Sequence, residues 1–322
     1  MMRSWLVFVL TTGTAFAQDT AQAHRALAKT AAGTDHLGIY HTVCPEPAPP
    51  NPTPAPARAR AAGPRQDPPR EQWYAEPVKV FDNLYFVGTK IHGAWAVTTS
   101  QGIIVIDALY GYAAEPEIAE GLRKLQLDPT QIKYVVVSHG HGDHSGGAKY
   151  LQDTFKPHLL LSAADWDLLD RGPAAGRPVR DLVVTDGQKL TLGDTTITMY
   201  ITPGHTLGTI STLIPVKDNG KPHLAMEWGG TAFTAATPLD QLKSYISSAA
   251  RFQDLAVGAG ADVIIANHTV FDGTLEKLAA LQERKPGAPN PWVVGKDSVT
   301  RYLTVASECA KAAVAARQTA PQ

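Results

Sequence analysis

Three imidazoles and a carboxylate fall within six positions in Ser138-His139-Gly140-His141-Gly142-Asp143-His144-Ser145, followed by Gly146-Gly147. Imidazole nitrogen and carboxylate oxygen are natural zinc donors. A strand end carries a histidine or two for hydrogen bonding readily enough. Burying four such groups without a common partner costs several kcal/mol. The pattern therefore predicts a metal site on His139, His141, Asp143 and His144. The interleaved glycines allow a tight turn in which alternate side chains converge. A helix starting near His144 would set its positive end close to Asp143. His205 in Pro203-Gly204-His205-Thr206 and His268 after Asn267 are single histidines, and taken alone each also reads as a hydrogen-bonded loop residue.

The apolar pattern supplies the elements that must hold these groups. Strands are expected at Leu84–Val87, Ala94–Val97, Gly102–Ile106 and Tyr134–Val137, the last running straight into His139. Further strands fall near 158–161, 180–184, 196–201, 209–214 and 263–265, this one just before His268. A helix runs from about Pro116, a favourable first helical residue, to Leu125. Leu239, Leu242, Tyr245, Ile246, Ala249 and Phe252 repeat at helical spacing, and helices near 273–284 and 298–316 close the chain. Strands, helix, then strands and helices again suggest two facing sheets with helices outside.

His139-x-His141-x-Asp143-His144, Pro203-Gly204-His205-Thr206 and Asn267-His268, in this order, resemble the ligand motifs of the metallo-β-lactamase superfamily. Asp82-Asn83-Leu84-Tyr85-Phe86-Val87-Gly88 and Gly102-Ile103-Ile104-Val105-Ile106-Asp107 resemble its opening strands. The likeness runs from about residue 76 to at least 270. It implies an α+β, four-layer αββα sandwich. It also implies two zinc ions, one on His139, His141 and His205 and one on Asp143, His144 and His268. Asp107 is expected to brace the ligand loop from behind. The implied activity is hydrolysis, with a metal-bound hydroxide attacking a carbonyl and Asp143 as the catalytic carboxylate that aligns it and handles its proton. Trp95, His92, Tyr112 and Thr231 are weaker candidates for substrate contact. Trp95 and Tyr112 also read as packing, and Thr206 reads as a cap on its loop.

One departure bears on substrate. Thioesterases and lactonases of the family carry a bridging aspartate in a Gly-Asp-Thr stretch. The comparable stretch here is Trp228-Gly229-Gly230-Thr231, with glycine at that place and Glu227 three residues away. Three histidines plus Asp-His-His without a bridge resemble the all-histidine subclass of exported β-lactamases. A β-lactamase is therefore the leading expectation, and a lactonase or thioesterase the alternative. A non-catalytic metal-binding protein is a third reading, opposed by the intact ligand set. Iron or manganese in place of zinc stays open, as do oligomeric state and the loops around 89–95, 108–113 and 228–240.

The resemblance implies a small-molecule substrate, and bulk composition adds no nucleic-acid or membrane partner. With 44% hydrophobic and 18% charged residues and a formal net charge of -1, nothing draws the chain to nucleic acid or to an anionic membrane. Arg3, the apolar run Trp5–Leu10 and Ala15-Phe16-Ala17 read as a signal peptide over 1–17, which implies a periplasmic or secreted protein. Residues 18–71 read as an N-terminal extension without clear period. Its stretch 45–69 holds ten of the chain's 24 prolines and reads as an extended spacer. The hydrolase domain is expected over 72–322. Cys44 and Cys309 are either a disulfide or two unrelated thiols.

Overall fold

The computed structural model describes residues 20–44 and 67–318. Among these, twelve strands form two sheets. The first contains β1 (Val78–Lys79), β2 (Leu84–Phe86), β3 (Trp95–Thr99), β4 (Gly102–Ile106), β5 (Ile132–Val136), β6 (His158–Ser162) and β7 (Leu182–Val184), side by side in that order. The second runs β12 (Val263–Ile265), β11 (Lys221–Glu227), β10 (Ile210–Asp218), β9 (Thr195–Ile201), β8 (Gln188–Leu192).

Alternation along the strands builds the layers, because successive side chains point to opposite faces. Trp95, Val97, Ile104, Ile106 and Val136 meet Ile197, Met199, Ile214, Val216, Ala225 and Val263 in one core between the sheets. Ala96, Ile103, Val105 and Val135 face the other way, onto Ile118, Leu122, Leu151 and Trp166 of the outer helices. Leu213, Met226 and Ile264 likewise leave the second sheet for Tyr245, Ala249 and Phe252 of the helix Leu239–Ala259 and Val299, Leu303 and Ala306 of the helix Lys296–Gln318. The result is the expected four-layer αββα sandwich.

Strands β4 to β7 are parallel, as are β11 and β12. A parallel pair needs a crossover, which sends each strand's exit to the same edge. Asp107 after β4, the 137–147 loop after β5, Asp165 after β6, Gly229 after β11 and Asn267-His268 after β12 therefore gather at one rim.

The structure corrects the reading of residues 18–44 and the start of the fold near Gln72. Ala21–Ala32 and Leu37–Val43 are helices, the first capped by Thr20, whose Oγ1 accepts from Ala23 N. Ala28, Ala32, Ile39 and Val43 lie buried against the C-terminal helix. Their apolar face was diluted by alanine, which carries little periodic signal. Cys44 and Cys309 form a disulfide with a Cα–Cα distance of 5.0 Å, fastening this hairpin to the last helix. Strands β1, β8 and β11 and the helices Ala148–Phe155 and Ala163–Asp170 were also missed. The proposed signal segment 1–17 and residues 45–66 of the proline-rich stretch lie outside the described residues. No helix among the described residues is long and apolar enough to cross a membrane.

Candidate metal centre

Strand β5 ends at Val136, and the ligand loop is then held from three sides. Ser138 N and Oγ donate to the Asp107 carboxylate at 2.7 and 3.0 Å. Ser138 O accepts from Ile210 N at 2.8 Å, and Gly140 N donates to Asp165 Oδ2 at 2.8 Å. His141 then precedes a one-turn helix, Gly142–Ser145, whose His144 and Ser145 amides donate to His141 O. The helix thus begins two residues before the expected position.

Three of the histidines have a nitrogen committed away from the centre. His139 Nδ1 is 2.9 Å from Gly229 O, His205 Nδ1 is hydrogen-bonded to Ala232 O, and His144 Nδ1 is 2.7 Å from Asp107 Oδ2. A carbonyl or carboxylate oxygen only accepts, so these Nδ1 atoms carry a proton and Nε2 is the atom each ring can offer to a metal. The offered atoms converge. His205 Nε2 faces His141 Nδ1 at 2.9 Å, and His144 Nε2 faces His268 Nε2 at 3.1 Å. Nε2 of His139 is buried with no hydrogen-bond partner. Asp143 Oδ2 lies 3.2 Å from His144 Nε2 and 3.4 Å from His268 Nε2.

A cation is the partner such a set fits. Donor atoms of His139, His141 and His205 all lie within 4.8 Å of one another, as do those of His139, Asp143 and His144. A proton cannot satisfy the first group. Burial holds His139 and His141 below the ordinary imidazole range, and burial against a backbone hydrogen bond to Ala232 takes His205 down to about 4. At neutral pH these rings are in the neutral form that binds metal. Burial also opposes charge on Asp143 and His144. His144 and His268 nevertheless hold the Asp143 carboxyl far below its usual range, and Asp107 with Asp143 raises His144 to about 10. Nitrogen and carboxylate donors in this number suit a divalent ion such as zinc.

The structure thus brings together all six residues expected to ligate, and it places Asp107 behind the loop as expected. Thr206 caps its own loop through Thr209 and Asp165. Two substrate candidates are corrected. Trp95 is fully buried between Phe86 and Trp292 with Nε1 donating to Ala266 O. Thr231 is buried too, its hydroxyl turned back to Trp228 O. Both face packing because β3 and the 228–231 turn point inward there. Tyr112 is half-buried, stacked on Tyr110 at 5.4 Å and packed on Trp73. His92 stands beside Asp143 and His268.

Asp165 was missed. Its carboxylate accepts from Gly140 N, Thr206 Oγ1 and Gly208 N, tying the His139–His141 loop to the His205 loop. A signal existed in Ser162-Ala163-Ala164-Asp165, a helix start in which Ser162 Oγ accepts from Asp165 N. Asn267 was also missed as a positioning group. Its Nδ2 donates to Gly229 O at 2.8 Å and Ser138 Oγ at 3.3 Å. Glu227 is buried, its Oε2 accepting from Thr212 Oγ1.

Comparisons with known proteins agree with this geometry. The family model described as the metallo-beta-lactamase superfamily matches residues 88–218. A hydroxyacylglutathione hydrolase of Synechococcus sp. is 30% identical over 133 residues, covering 40% of this chain and 49% of that protein. The lactamase-like protein adaB of Aspergillus niger is 29% identical over 172 residues, half of each chain. The chain spans about half the length of these curated relatives. Among solved structures, a subclass B3 metallo-beta-lactamase of Bradyrhizobium japonicum superposes with a TM-score of 0.61 at 27% identity, over 72% of this chain and 92% of that one. A metallo-beta-lactamase of Cronobacter sakazakii gives 0.67 at 26%, over 78% and 99%. The sandwich, the ligand order and these likenesses agree: the chain has the metallo-beta-lactamase fold, and its residues 88–218 match the model of that superfamily.

Proposed function

We propose that the protein is an exported, zinc-dependent hydrolase that opens the amide of a β-lactam. The observation carrying this reading is a double donor set, His139-His141-His205 beside Asp143-His144-His268, with no space for a bridging carboxylate. A Cβ built on Gly230 would lie 2.5 Å from His205 Cβ and 2.9 Å from Thr209 Cγ2. The likeness to subclass B3 β-lactamases supports the same reading. For export, the support is the N-terminal sequence pattern and the Cys44–Cys309 pair, since disulfides persist in oxidising compartments.

Two zinc ions when bound would acidify a water to a pKa near 7 and polarise a carbonyl. The chain's own groups do the rest. Asp107, Asp165 and Asn267 fix the orientation of the histidines, so little reorganisation is needed during reaction. Asp143, partly exposed and held as the carboxylate, is placed to accept a proton at Oδ2 and return it to a leaving nitrogen.

A second reading, hydrolysis of a glutathione thioester, has one specific support: 30% identity to a hydroxyacylglutathione hydrolase across the shared segment. The test is turnover by the zinc-loaded protein of nitrocefin and a carbapenem beside acylglutathione thioesters and acyl lactones. Preference for the β-lactams is the expected result. Turnover of thioester alone selects the second reading, and no turnover above free zinc on any substrate removes both.

A further inference from the structure

Resting on the two-cation reading above, we infer that His92 is a fourth protein ligand of the second metal position, joining Asp143, His144 and His268. The sequence pattern gave no place for it among the donors, because it lies far upstream in the turn between β2 and β3. The fold brings it in and clamps it. Thr89 N donates to His92 O, and Thr89 Oγ1 accepts from His92 N, both at 2.8 Å. On the other side the turn is stitched to the His268 segment. Gly93 N donates to Asn267 O at 2.8 Å, Thr269 N donates to Ile91 O at 3.0 Å, and His92 forms an antiparallel bridge with His268. His92 is therefore fixed relative to His268 by backbone bonds rather than by a mobile loop.

The side chain is aimed accordingly. His92 is 8% exposed. Its ring packs edge-on to His268 at 4.9 Å and to Tyr110 at 5.2 Å. Its Nε2 is 3.7 Å from Asp143 Oδ2. That is too long for a hydrogen bond, yet close to a coordination edge. Metal–nitrogen and metal–oxygen bonds of about 2.0–2.1 Å place tetrahedral ligands about 3.3 Å apart. The distances from Asp143 Oδ2 to His144, His268 and His92 are 3.2, 3.4 and 3.7 Å, and His144 to His268 is 3.1 Å. Donor atoms of His92, Asp143 and His268 all fall within 4.8 Å of one another. His92 and His144 are the widest pair, with ring centroids 6.2 Å apart and His268 between them.

The consequence is chemical. A position with four protein donors keeps fewer places for water or substrate than one with three, and it holds its ion more tightly. The first position, with three histidines, is then the more open of the two.

The experiment compares the full chain with His92→Gln, His92→Ala and His92→Cys by zinc titration against a competing chelator and by the absorption of the cobalt form. The wild type is expected to bind two ions. His92→Gln and His92→Ala should weaken one of them by at least tenfold and change the cobalt d–d bands, with thermal melts of the metal-free proteins checking that they fold. His92→Cys should recover affinity and show a thiolate-to-cobalt charge-transfer band, a signature that a packing role would not produce. Two ions with unchanged affinities and spectra in all variants, and no charge-transfer band, overturn the assignment of His92 alone. A wild type that binds fewer than two ions overturns the two-cation reading and this inference together.

Discussion

The absence of a bridging carboxylate invites an obvious repair, Gly230→Asp, and the structure expects it to fail. A carbon atom at the Cβ position of residue 230 would sit 2.5 Å from His205 Cβ, with Thr209 Cγ2 at 2.9 Å and Thr209 Oγ1 at 3.0 Å. Carbon atoms prefer about 3.5–4.0 Å, so something must move by roughly 1 Å. His205 cannot yield freely. Its Nδ1 is bound to Ala232 O, and its carbonyl accepts from Gln241 Nε2 at 2.8 Å. Overpacking of this kind costs about 1–3 kcal/mol. At about 2–4 °C per kcal/mol for a domain of this size, the melting temperature should fall by roughly 2–12 °C. Because the displaced group is His205, the first metal position should weaken as well, by tenfold or more. Gly230→Ala separates the steric term from the charge, since it adds the same Cβ and no carboxylate. Both variants are expected to lose stability and zinc affinity together, read by thermal melts of the metal-free proteins and chelator competition. If Gly230→Asp binds zinc as tightly as the wild type, or more tightly, there is room for a bridge and the steric argument is wrong.

Other outcomes follow from the same structure. His141→Ala removes one donor facing His205 and should lower bound zinc and abolish hydrolysis while far-ultraviolet dichroism stays unchanged; an active variant with full zinc would contradict its role. Asp107→Ala strands Ser138 N, Ser138 Oγ and His144 Nδ1, so urea unfolding of the metal-free protein should show a loss of about 3–5 kcal/mol, and a loss below 1 kcal/mol would speak against the brace. Burial raises Glu117 from 4.5 to about 8 although Ala75 N donates to it. The folded state therefore binds this proton more tightly than the unfolded one. The stability it lends is full below about 4.5 and is lost as pH rises through about 8; Glu117→Gln should flatten that decline in melts taken across this range. Replacing Cys44 and Cys309 by serine opens a link spanning 265 residues and should cost about 2–5 kcal/mol, so an unchanged melting temperature would show that the hairpin holds by packing alone.

What could be read from sequence divides by range. His139, His141, Asp143 and His144 were legible because four donors follow a buried strand within one turn, and their spacing already encodes convergence. The strands around them were legible because alternation of apolar residues is local. His92 was legible only as a weaker candidate for substrate contact, not as a donor. Nothing in Gly88-Thr89-Lys90-Ile91-His92 says that its backbone will be sewn to residues 267–269. Asp165 and Asn267 fail for the same reason, since their partners lie on loops distant in sequence. The helices over 21–43 were missed on different grounds. Ala28 and Ala32 are buried by a C-terminal helix rich in alanine, and small residues packed on small residues leave a weak hydropathic trace.

The acids of this rim have opposite roles, and their surroundings say why. Asp107 and Asp165 are each buried and each take three donors: Ser138 N, Ser138 Oγ and His144 Nδ1 for one, Gly140 N, Thr206 Oγ1 and Gly208 N for the other. With their acceptor sites filled by the protein, they have little left for a cation and serve to hold loops. Asp143 takes no backbone donor at the centre. It turns Oδ2 toward His144, His268 and His92 and stays partly open to solvent. A carboxylate left with free lone pairs beside three imidazoles is the one available to metal and proton alike. The fold therefore spends two buried acids on geometry so that a third can do chemistry. Loss of either brace should move the histidines before it alters Asp143 itself.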